Sequence, residues 1–76
     1  MPRISPAEYA RMVRDWNAKH PVGTRVIARL ITGGEREAVT AGPASQLVGT
    51  GTAVIRLEGL GVYLLERVRA VEVKHG

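Results

Sequence analysis

Residues 48–61 read VGTGTAVIRLEGLG, with glycines at 49, 51, 59 and 61 around a short apolar run. Two readings compete for such a stretch, a phosphate cradle or the joints of a β-sheet. A cradle needs a strand leading in and a helix leading out, because the free N–H groups of the helix hold the anion. Here the Pro- and Ser-containing GPASQ (42–46) leads in and reads as loop. TAVIRLE (52–58) leads out with a two-residue alternation, Ala53, Ile55 and Leu57 inward, Val54, Arg56 and Glu58 outward. Val54 stands where a third cradle glycine belongs, and no Gly-Lys-Ser/Thr occurs in the chain. The glycines therefore read as a bend entering a strand and the turn leaving it.

Working outward, TRVIARLIT (24–32) predicts a strand with Val26, Ala28 and Leu30 on one face. Ile27 and Ile31 share the other face with Arg25 and Arg29. Gly33-Gly34 is a turn signal, and EREAVTA (35–41) is the partner strand of a hairpin. Beyond Gly61, VYLL (62–65) reads as strand, ERV (66–68) as a short helical turn, and RAVEV (69–73) as the closing strand.

The N-terminus differs in period. SPAE (5–8) is a capping box with Pro6 at the first helical position, and Ile4 and Tyr9 are placed for a hydrophobic staple. Tyr9, Met12, Val13 and Trp16 then form one apolar stripe, with Arg11 and Asp15 spaced as an i,i+4 ion pair. Pro21 disfavours helical geometry at His20, so the helix spans about residues 6–19. One helix and four to five antiparallel strands in a single 1–76 domain predict a mainly β fold. The expected architecture is a small SH3-like β-barrel over about 22–73, an OB-like barrel needing more residues.

Seventy-six residues lie near the lower limit for a self-sufficient core, and there is no cysteine to supplement it. MPRISPAEY has no apolar leader character and no apolar run reaches membrane length, so a cytoplasmic location and no membrane partner are expected. Catalytic groups are sparse. Ser5 is explained as a cap, His20 as a helix-end residue donating to the last carbonyls, and His75 lies near the terminus. Asp15 is the one aspartate, and Trp16 reads as core. Tyr63, if exposed beside Arg56, would offer a stacking surface. The chain is expected to be no enzyme, with no cofactor, no metal and no catalytic residues.

WNAKHPVGTRV (16–26) and GVYLLERV (61–68) resemble a group of small uncharacterised phage and prophage proteins. The matching residues are Trp16, Asn17, His20, Pro21, Val22, Gly23, Thr24 and Val26, then Gly61, Leu65 and Val68. This resemblance implies a mobile-element origin and an SH3-like barrel, and brings no activity with it. Through VGTRV and ERVRAV the chain is more distantly similar to the plasmid-borne type II dihydrofolate reductases, which form a tetramer around one pore. Their active Val-Gln-Ile-Tyr run is replaced here by VYLL, without glutamine.

The formal charge of +4 resides in the first half, where Arg3, Arg11, Arg14, Lys19, Arg25 and Arg29 face only Glu8 and Asp15. Five bases and five acids balance in the second half. The leading expectation is a non-catalytic module that binds nucleic acid or a nucleoprotein through Arg11, Arg14, Lys19, Arg25 and Arg29. The alternative is a protein–protein module, self-association included, using the Ile27 and Ile31 stripe.

Overall fold

The computed structural model describes residues 4–71. Helix α1 spans Pro6–Lys19. Ser5 caps it, its hydroxyl oxygen accepting from the Glu8 N–H at 3.2 Å. His20 leaves the helix in extended geometry, as the residue before a proline should. Its backbone N–H, rather than its ring, donates to the Trp16 carbonyl at 2.8 Å. The stripe of Tyr9, Met12, Val13 and Trp16 packs on the core without any of the four being fully buried.

Six strands follow: β1 (Arg25–Arg29), β2 (Glu35–Val39), β3 (Ser45–Gln46), β4 (Ala53–Leu57), β5 (Gly61–Leu64) and β6 (Val68–Ala70). They form two three-stranded antiparallel sheets, ordered β2-β1-β6 and β3-β4-β5, and neither sheet closes on itself. A single 3-10 turn, Leu65–Arg67, separates β5 from β6, one residue earlier than the sequence suggested. Val26, Ala28, Ala44, Ala53, Ile55, Leu57, Leu65 and Val68 make one core between the sheets and the helix. No helix among the described residues is long and apolar enough to cross a membrane.

The sheets meet at a corner. The Glu58 N–H donates to Val39 and the Ala41 N–H to Arg56, both at 2.8 Å, around a bridge between Thr40 and Leu57. The ladder resumes at Ser45 opposite Val54 and Gln46 opposite Ala53. Residues 35–46 thus run as one bent strand, its register slipped by two residues across Gly42–Ala44. GPASQ, read as loop, contains β3 because its last two residues return to β4 once this bulge has been passed.

Three other expectations shift. Strand 24–32 stops at Arg29, because Leu30–Gly34 close the hairpin turn, with Gly33 at φ +103°. Ile31 is consequently 87% exposed at that tip and does not share the β1 face with Ile27. Val54 points outward as expected but is only 6% exposed, since β4 is the central strand and its outward side chains have neighbours on both sides. The last expected strand, 69–73, is observed as Val68–Ala70, with the Val71 N–H bonded to Arg25; Glu72, Val73 and His75 lie outside the described residues.

The bend at 48–51 is the β3–β4 hairpin loop, where the Leu47 N–H donates to Thr52 and the Gly51 N–H to Leu47, each at 2.9 Å. Gly51 has φ +72°, and a Cβ there would meet the Pro6 ring at 3.1 Å. The Gln46 amide donates to the Pro6 and Gly51 carbonyls. This glycine is needed where the hairpin abuts the start of α1.

Candidate functional site

The residues of the 16–26 motif are occupied with structure. Asn17 makes a paired contact with the bulge: its amide donates to the Ala44 carbonyl at 3.0 Å, and its carbonyl accepts the Ala44 N–H at 2.9 Å. Ala44 is buried, so these bonds replace the ladder partners that the slipped register removes. Thr40, 2% exposed, accepts the Gly23 and Thr24 N–H groups on its hydroxyl at 2.9 and 3.1 Å. The Thr24 hydroxyl donates to the Pro21 carbonyl. His20 lies against Trp16, with ring centroids 4.4 Å apart and planes at 54°. Nothing in the spacing of the sequence marked Asn17 or Thr40 for these roles, since their partners are 27 and 17 residues away.

Among the described residues every buried side-chain polar atom has a partner, and no three His, Asp or Glu side chains cluster as a metal site requires. Ser5 caps α1, and Ser45 lies exposed on β3. Tyr63 pairs opposite the buried Ile55 and packs on the core, whereas Arg56 pairs opposite Val62. The stacking surface proposed for Tyr63 beside Arg56 is therefore absent, because the two side chains stand on opposite faces of one sheet.

The five basic candidates divide between two elements. Arg11, Arg14 and Lys19 are exposed on α1, which packs chiefly on β3 and β4. None of the three forms an ion pair among the described residues, and Arg11 is not joined to Asp15. Lys19 borders a groove with Met12, Trp16, Leu65 and Val68. Arg25 and Arg29 stand on the outer face of the first sheet, Arg29 directly across from Glu35 of β2 and Arg25 across from Val39, diagonal to Glu37. Arg25 meets Glu37 at 3.4 Å, Arg29 pairs in register with Glu35, and Arg69 from β6 reaches Glu35 at 2.9 Å. The Arg69 guanidinium, by hydrogen bond and then by charge, holds the Glu35 carboxyl below the usual carboxylate range, and Arg29 adds to this. Glu35 in turn raises Arg69. Half-buried Ile27 lies within this lattice of alternating sign.

The outer face of the second sheet is different in kind. Val54, Val62 and Leu64 point outward from β4 and β5, with Ser45 beside Val54 in register. Val54, Val62 and Ser45, with Ala41, Gly42, Pro43 and Arg56, line a depression of about 290 Å³. Val62 is 56% exposed. Arg56 has no ion-pair partner among the described residues. The sequence placed Val54 and Arg56 on this face but gave no sign that Val62 and Leu64 would extend it. No family model, curated protein or solved structure matches the chain.

Proposed function

We propose that this chain is a non-catalytic binding module whose partner is a protein. The observation that carries this is the outer face of β4 and β5, where exposed Val62 and half-buried Leu64 continue the apolar surface of buried Val54, and where Arg56 has no ion-pair partner among the described residues. Water solvates such a face poorly, and apolar patches with a polar anchor are what protein partners bury. The first sheet's outer face suits a solvated surface better, because its arginines already have acids beside them.

An SH3-like barrel is the architecture that accommodates the order β6-β1-β2, the bend of 35–46 onto β4, and the 3-10 turn before β6. The likeness to small phage proteins belongs with a binding role, since Trp16, Asn17, His20 and Thr24 are taken up by packing, capping and turn bonds.

Affinity capture from a nuclease-treated cell extract tests the reading. A protein retained by the intact chain and lost with Val62→Glu supports it. Retention of nucleic acid alone, abolished by nuclease, overturns it. That second reading, nucleic-acid binding, is favoured by the absence of ion-pair partners for Arg11, Arg14 and Lys19 among the described residues. It requires a steep loss of affinity with salt and with Arg11→Glu.

A further inference from the structure

The four strands at the margins of the two sheets are not equally defended. β2 presents Glu35, Arg36 and Glu37, β6 presents Arg69, and β3 is only two residues long and tied to α1 through Gln46. Charge, brevity and cover are the usual means by which a sheet edge avoids pairing with other chains. β5, GVYL, uses none of them. Among the described residues it has no charge, proline or covering element, and only β4 lies beside it in the sheet.

We propose that the free edge of β5 takes an extended acidic segment of a partner protein, added as a further strand to the β3-β4-β5 sheet. This rests on the protein-binding reading above and names where and what it binds. Main-chain hydrogen bonds to an unpaired edge supply affinity, and alternate side chains supply selectivity. On the outer face, alternate side chains of the added strand lie against Val62 and Leu64, continuing the apolar surface begun by Val54. Charge decides the chemistry of the segment. Arg56 stands in register beside Val62, one strand in from the edge, and has no counter-ion among the described residues. Adjacent strands are about 4.8 Å apart, a spacing that an arginine side chain spans across a short valine. A carboxylate on the added strand therefore meets the guanidinium, and the chain's net +4 favours an acidic partner at longer range. A polyanion fits less well, because this face offers one cation and several aliphatic side chains.

The test uses the full chain and a fluorescein-labelled peptide of alternating valine and glutamate, with its valine–lysine counterpart as control. Fluorescence anisotropy measures affinity, and amide NMR shifts locate the contact. The valine–glutamate peptide is expected to bind, to move the amide signals of Gly61–Leu64, and to weaken at least tenfold with Arg56→Glu and with Val62→Glu. The lysine peptide is expected to bind at least tenfold more weakly, and Arg11→Glu to change nothing. Both site variants alter outward side chains, and an unchanged far-ultraviolet circular dichroism spectrum checks that they fold. No binding at millimolar peptide, equal affinity with Arg56→Glu, or shifts confined to other strands overturns the proposal. Displacement of the peptide by duplex or single-stranded oligonucleotide also overturns it. A protein captured from extract by both the intact chain and Arg56→Glu would leave the protein-binding role standing and remove this edge as its site.

Discussion

The two sheets share one core but treat their outer faces in opposite ways. On β2-β1-β6, Arg25, Arg29 and Arg69 interleave with Glu35 and Glu37 around two half-buried apolar side chains, Ile27 and Val39. On β3-β4-β5, Val54, Val62 and Leu64 lie together and Arg56 has no acid beside it among the described residues. The first face is complete in water. The second is apolar on both sides of its central strand, a pattern that belongs to sheets covered on both sides. In a chain this small, aliphatic residues placed outside the core are withdrawn from stability, so their location is informative about binding.

The contrast breaks most severely at the core that both sheets share. Leu57→Ala empties a fully buried site beneath the corner, and a loss of about 2–5 kcal/mol is expected in urea unfolding. Asn17→Ala leaves the buried Ala44 peptide unbonded and detaches α1 from the bulge. A cost of about 1–3 kcal/mol is expected, with the lost order seen as faster amide exchange at Ala44 and Ser45. Thr40→Val keeps the shape but removes the acceptor for Thr24, and about 1 kcal/mol is expected in the same assay. Gly51→Ala, strained by its positive φ and by Pro6, should lower stability by about 1 kcal/mol.

The smallest effect is expected on the charged face. The Glu35 carboxyl is held below its ordinary value of 4.5 in the folded chain. Its contribution is therefore present above that value and is lost as pH falls through the lowered one. Glu35→Gln should flatten the stability profile on the acid side below about pH 4.5 and leave the neutral melting temperature nearly unchanged. A large destabilisation at neutral pH would show that this pair does more than compensate charge.

Local pattern carried much of this into view. The capping box, the Tyr9–Trp16 stripe and the Ala53-Ile55-Leu57 face were legible because each depends on neighbours within one or two turns or strand repeats. Ser45 and Gln46 were not, since their pairing depends on a register slip that only the partner strand reveals. Arg25 and Arg29 were legible as an outward basic face, but the sequence did not state that the hairpin register would set Arg29 across from Glu35 and Arg25 diagonal to Glu37. Val54 shows the same limit: alternation assigns a side, whereas burial depends on who stands next to it.

The slip across Gly42–Ala44 has a consequence for how this chain tolerates change in length. Strand faces alternate with a period of two, and the slip is also two residues. Thr40 and Ala44 consequently stay buried through the bend, Gln46 keeps the same face opposite Ala53, and Ser45 stays on the other. The connection obeys parity. Removing one residue from 42–44 would turn β3 over, carrying the Gln46 side chain away from Pro6 and withdrawing Ala44 from Asn17. Removing two would straighten the strand and leave inside and outside as they are.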